Sequence, residues 1–122
     1  MVIKQVRKPT YYANIYLGLR KRYTDFVFHE QNVIDIVQDF VNDVHYCTTI
    51  TPTHFYYVDG EEPGVIIGII NYPRFPKTKV EIRKLAIELT KLLMDKLDQN
   101  RISIVCPDTT IMLERDDTTI KS

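Results

Sequence analysis

The residues best suited to chemistry stand in one short stretch, Asn71-Tyr72-Pro73-Arg74-Phe75-Pro76. Arg74 can grip a carboxylate or phosphate with two parallel hydrogen bonds. Tyr72 and Phe75 can stack on a base or ring, and Asn71 can read polar ring edges. Two prolines stiffen the stretch. It leads into a helix start, where free N–H groups and positive potential suit anions. The competing reading is a plain corner, with Phe75 plugging the core and Arg74 solvated.

Other candidates are more scattered. His54 and Tyr56 belong to a strand expected to pair with the one that feeds this loop. Arg20 and Arg22, in the run Arg20-Lys21-Arg22, supply basic charge expected near it. Thr109 and Thr110, beside Asp108, form a second candidate at a turn, although such side chains also make ordinary turns. Asp35, Asp39 and Asp43 recur every four residues, but no opposite charge faces them, which fits a solvated helix face. His29, His45 and His54 lack metal-ligand spacing, and neither Cys47 nor Cys106 lies near a second cysteine. The four glycines are not spaced as a phosphate loop. No catalytic residue, metal or cofactor is assigned.

Bulk properties narrow the class. A chain of 122 residues fits one domain, and the last residues, 115–122, read as a frayed tail. No apolar run approaches the roughly 18 residues a membrane span needs, and the start lacks a signal-peptide core. The two separated cysteines fit reduced thiols in a cytoplasmic protein. Net charge is zero, yet the charges are segregated. Residues 1–22 hold six basic and no acidic side chains; residues 23–73 hold eight acidic and no basic ones. Such blocks suit an anion site or self-complementary assembly. Zero net charge disfavours general nucleic-acid binding.

The elements that must position these residues follow from periodicity. Residues 12–20 alternate as a half-buried strand. Residues 30–46 carry an apolar stripe at helical spacing. Residues 47–58 and 65–72 read as two strands of a hairpin, joined by turn residues 59–64. Thr78-Lys79-Val80-Glu81 is a capping box, opening a helix to about Gln99 with Asn100 as its cap. Residues 101–106 form a strand and 111–114 a short further one. The order β-α-β-β-α-β predicts an α+β, ferredoxin-like plait with both helices on one sheet face and a short extra C-terminal strand. The strand from Val65 is apolar on both faces, which predicts burial of its second face in a homo-oligomer.

Two resemblances add to this. From Gly68-Ile69-Ile70-Asn71 through Ile104-Val105 the chain resembles the tautomerase superfamily. That likeness implies isomerase chemistry with an N-terminal proline as base, but Val2 follows Met1 here. Thr51-Pro52-Thr53-His54-Phe55-Tyr56-Tyr57-Val58-Asp59-Gly60, with the 71–76 stretch, resembles uncharacterised small proteins of tailed bacteriophages. That likeness implies an accessory or anti-defence factor, in a host cytoplasm, that binds a host protein or signalling nucleotide. The resulting expectation is a non-enzymatic, oligomeric protein sequestering a small anionic or nucleotide-like ligand. The alternatives are a tautomerase-like isomerase and a protein–protein module.

Overall fold

A computed structural model describes residues 1–22 and 24–116; residues 117–122 of the expected tail lie outside the described residues. The elements are β1 (Tyr12–Gly18), α1 (Glu30–Val44), β2 (Thr49–Tyr57), β3 (Gly60–Ile70), α2 (Lys79–Lys96), β4 (Arg101–Val105) and β5 (Thr110–Glu114). The sheet order is β2-β3-β1-β4-β5, and every neighbouring pair is antiparallel. This is the expected ferredoxin-like plait, with β5 added beside β4.

Alternation sorts the strands into two faces. Ala13, Ile15 and Leu17 of β1 share a face with Val65, Ile67 and Ile69 of β3, and all are at most 1% exposed. The helices cover that face. Val33, Val37 and Phe40 bring in the α1 stripe, and Ile82, Ala86, Leu89 and Leu93 bring in that of α2. The opposite face is not covered by any described element of the chain. Tyr16, Ile70 and Met112 are all more than a third exposed there. Within one chain no described element covers the second face of β3, the face for which the sequence predicts a neighbouring copy.

Local capping fixes both helices. Thr78 Oγ1 accepts from Glu81 N–H at 3.1 Å and Glu81 Oε1 accepts from Thr78 N–H at 2.9 Å, the capping box read from sequence. His29 caps α1 by accepting from Gln31 N–H at 3.2 Å, and His45 ends that helix with a left-handed φ of 56°. Two of the three histidines thus have backbone roles. Helix α2 stops earlier than expected: Leu97 is its cap and Asp98 turns left-handed at φ 47°. Gln99, 7% exposed, then donates to the Arg20 carbonyl at 2.9 Å.

The hairpin turn is shorter than the 59–64 stretch suggests. Asp59 alone takes a positive φ, of 57°, which Asp tolerates better than most residues. Pairing resumes at once, with Tyr57 opposite Gly60 and Phe55 opposite Glu62. The residues Gly60-Glu61-Glu62-Pro63-Gly64 therefore lie in the sheet, and this decides what stands on its open face.

Candidate functional site

The loop after β3 does not gather its side chains into one pocket. Asn71 is a staple. Its side-chain amide donates to the Pro9 carbonyl at 2.9 Å, its Oδ1 accepts from Lys77 N–H at 2.8 Å, and its backbone N–H reaches Tyr11 O at 3.0 Å. Tyr72 packs edge-on against Tyr46 with centroids 5.7 Å apart. Its hydroxyl lies 3.4 Å from Cys47 Sγ. The bond with that thiol and partial burial push the phenol up to about 12. Arg74 lies 5.4 Å from the Phe75 ring centroid. Phe75 faces a separate cleft formed with Val41, Tyr46 and Cys47.

Asn71 instead lines a cleft of about 460 Å³ with Lys8, Thr10, Tyr11, Lys77 and Lys79. The β4–β5 turn braces the neighbouring surface. Asp108 accepts from Tyr11 OH at 3.0 Å and pairs with Lys79 Nζ at 3.0 Å. Lys79 is the main cause that holds the Asp108 carboxyl below its ordinary range. Burial first, then bonds to Cys106 and Asp108, raise the Tyr11 phenol well above its ordinary range. Thr109 contributes its carbonyl to Cys106 N–H at 2.9 Å, and Thr110 stands opposite Val105. This end of the molecule is rich in lysine, and its one lining carboxylate, Glu81, is engaged in the helix cap.

Arg20 and Arg22 do not join the loop. They follow the far end of β1, whose seven residues span roughly 20 Å at about 3.4 Å each. Arg20 donates from its guanidinium to Glu61 O at 3.1 Å and from its backbone N–H to Glu62 Oε2 at 2.9 Å. Arg22 N–H bonds Asp98 O at 3.2 Å. His54 pairs with Glu61 at 2.9 Å and lies 4.9 Å from the Tyr56 ring. By strand alternation, His54 and Tyr56 are on the helix side of β2.

The same end carries a site that the sequence reading missed, on the open face of the sheet. Tyr16, Phe55, Tyr57, Glu62, Arg101 and Met112 line a trough of about 290 Å³. Tyr16 and Phe55 meet with centroids 6.5 Å apart. Arg101 Nε sits 2.7 Å from Glu114 Oε1 at the trough's β4–β5 side. Glycines make the space. A Cβ on Gly18 would come 2.6 Å from the Glu62 carboxylate; one on Gly64 or Gly60 would come 2.2 Å from the ring of Phe55 or Tyr57. None of these glycines has a positive φ, so their role is space and not backbone freedom. Glycine within a strand marks such close approach, and this was the available signal.

The trough and the lysine cleft suit opposite ligands. Aromatic faces and a carboxylate attract a cation, while an arginine at the other side can take a carboxylate. Among the described residues no group of His, Cys, Asp and Glu is arranged to hold a metal ion. No helix is long and apolar enough to cross a membrane.

No family model and no curated protein matches this sequence. Solved structures do share its fold. One is a phage SAM lyase in complex with S-methyl-5'-thioadenosine, 14% identical, covering 94% of this chain and 97% of its own, with a TM-score of 0.75. Another is a phage SAM lyase in its apo state, also 14% identical, covering 95% and 98%, with a TM-score of 0.77. The likeness to phage proteins thus holds at the level of fold. The expectation of a non-enzymatic binding protein does not stand: a fold shared end to end with an enzyme favours the catalytic alternative.

Proposed function

We propose that this chain is an enzyme of phage origin that cleaves S-adenosylmethionine (SAM) without water. The reading is carried by the Glu62 carboxylate in the aromatic trough, on a fold shared with a phage SAM lyase. The substrate bears a sulfonium cation, an adenine ring and an amino-acid carboxylate. The trough offers a partner for each. Glu62 faces the positive charges, the rings of Tyr16, Phe55 and Tyr57 stack on adenine, and Arg101 takes the carboxylate.

The chemistry asks little of acid–base groups. When the bond between sulfur and the four-carbon chain breaks, the electron pair goes to sulfur. S-methyl-5'-thioadenosine then departs as a neutral thioether and needs no proton. The four-carbon fragment completes its own γ-carbon, either by closure of its carboxylate oxygen onto that carbon, which moves no proton, or by loss of its β-proton to the Glu62 carboxylate. The two products are isomers of equal mass, and proton NMR separates the lactone from the vinyl amino acid by its olefinic signals.

A trough of about 290 Å³ falls at the lower edge of small-molecule sites. A second copy over the open face closes it, excludes water, and buries Tyr16, Ile66, Ile70 and Met112. The active form is therefore a homo-oligomer in this reading. The test is direct: incubate the purified chain with SAM and follow S-methyl-5'-thioadenosine by mass spectrometry. Release by the wild type, and its loss in Glu62→Gln, supports the proposal. A wild type that leaves SAM intact removes it.

A further inference from the structure

Strand β1 ends at Gly18, and a glycine weakens a strand unless its missing side chain is needed. Its φ is not positive, so the backbone there asks for nothing that another residue could not give. Gly18 stands opposite Gly64 on the open face of the sheet. Glu62, two residues from Gly64 along β3, reaches over Gly18 diagonally. A Cβ on Gly18 would lie 2.6 Å from Glu62 Oε2, 2.8 Å from Cδ and 3.1 Å from Oε1. The whole carboxylate, and not one atom of it, therefore rests on the bare Cα. Phe55, which faces Glu62 across the β2–β3 ladder, leans over Gly64. The two glycines are the floor on which carboxylate and ring rest.

A second contact fixes the carboxylate's orientation. Arg20 donates its backbone N–H to Glu62 Oε2 at 2.9 Å. That donor is itself held on both sides. Leu19 N–H bonds Pro63 O at 2.9 Å, Lys21 N–H bonds Phe26 O at 2.7 Å, and Gln99 Nε2 donates to Arg20 O at 2.9 Å. A donor fixed in this way costs no reorganisation when it is used, and a hydrogen bond to an ionised acceptor is stronger than a neutral one. The bond commits Oε2 and leaves Oε1 for a ligand's positive charge.

We infer that Gly18 and the Arg20 N–H form a seat that positions the Glu62 carboxylate, and that this seat makes the trough prefer a sulfonium over a neutral thioether. The inference rests on the lyase reading and adds two positioning residues to it, both acting through Glu62. A carboxylate pinned in the trough meets a cation without first being ordered. One pushed aside by a methyl group turns toward water, where charge attraction is weak. The sulfur of SAM carries a charge before cleavage and none after it. The seat thus holds the substrate more tightly than S-methyl-5'-thioadenosine and lets the product leave.

The experiment is Gly18→Ala. The added methyl meets only the far end of a flexible side chain, so the fold should survive and the urea midpoint should change little. The kcat/KM for SAM should fall about 10- to 100-fold, the effect of misplacing a group by about 1 Å. The inhibition constant of S-methyl-5'-thioadenosine, a neutral thioether, should stay within about twofold. Glu62→Asp, damaging alone, should cost little more in the Gly18→Ala background, because both changes act on one carboxylate. Amide exchange reads the seat without any substrate. In Gly18→Ala the Arg20 N–H should exchange at least about tenfold faster, with the Leu19 N–H unchanged. Unchanged turnover, additive losses, an indifferent Arg20 amide, or an inhibition constant and urea midpoint that worsen with the rate overturn the inference and leave the lyase reading standing. A wild type that leaves SAM intact removes the lyase reading and the sulfonium preference with it, while the Arg20 amide still decides whether the seat exists.

Discussion

The two ends of the sheet have been built for opposite charges. At the loop end, Lys8, Lys77 and Lys79 surround a cleft whose single carboxylate, Glu81, is bound into a helix cap. At the hairpin end, Glu62 stands among three aromatic rings over glycines that leave it room. Both are concave, and the loop end has the larger volume. If the proposed sulfonium substrate is the right one, the difference teaches that size and local motif rank these sites in the wrong order. The sign of the lining charge and the chemistry of the lining decide.

Substitutions can break that contrast, and the largest effect is expected at Glu62. Removing one member of a close charge pair costs on the order of 2–5 kcal/mol. Glu62→Gln should therefore lower kcat/KM for SAM by roughly 30-fold or more, measured as thioadenosine release, while the melting temperature changes little. A matching change at the loop end, Lys77→Ala, should leave that rate within about twofold. If Lys77→Ala is the more damaging, the assignment of the two ends is reversed.

Next in size is Gly64→Ala. Its Cβ would come within 2.2 Å of the Phe55 ring and 2.6 Å of the Leu17 carbonyl oxygen. The ring can swing but the backbone cannot, so about 1–3 kcal/mol of stability should be lost by overpacking, read as a lower urea midpoint. Phe55→Ala tests the same wall from the other side. Loss of a stacked ring costs about 1–3 kcal/mol per base, so SAM affinity should drop by about tenfold in calorimetry. Thr78→Ala, which removes the α2 cap, should cost about 1 kcal/mol of stability and leave SAM binding unchanged.

The smallest effect is a pH dependence confined to the loop end. Asp108 has its pKa lowered in the folded state, chiefly by Lys79. Its contribution is thus fully present above the ordinary Asp value of about 3.9 and disappears as pH falls below it through the folded value. Asp108→Asn should flatten the acid limb of a stability-against-pH curve slightly. At the alkaline side the sign reverses for Tyr72, raised to about 12. Stability it lends is complete below the ordinary phenol value near 10 and declines as pH climbs toward the folded one. Tyr72→Phe should reduce that decline.

Much of the architecture could be read from periodicity, because strands repeat every two residues and helices every 3.6. The alternation of residues 12–20 became β1, the stripe through Val33, Val37 and Phe40 became the buried face of α1, and Thr78 with Glu81 closed the capping box. The hairpin was misjudged where turn-forming residue types outweighed pairing. Gly60-Glu61-Glu62-Pro63-Gly64 looks like a loop by composition, yet Phe55 and Tyr57 give it partners across the ladder. That misjudgement also hid Glu62.

The sequence by itself determined the order of elements, the buried stripe of each and the segregation of charge, since all three are local properties of the chain. Only the tertiary structure decided the site. Tyr16, Phe55, Glu62, Arg101 and Met112 come one each from β1, β2, β3, β4 and β5. What unites them is strand order and register, and a slip of one residue would send any strand's contribution to the helix face. Tyr16 stands opposite Ile66 and Ser103, and Ser103 opposite Met112. Those pairings are long-range contacts between segments far apart in the chain, and no local pattern encodes them.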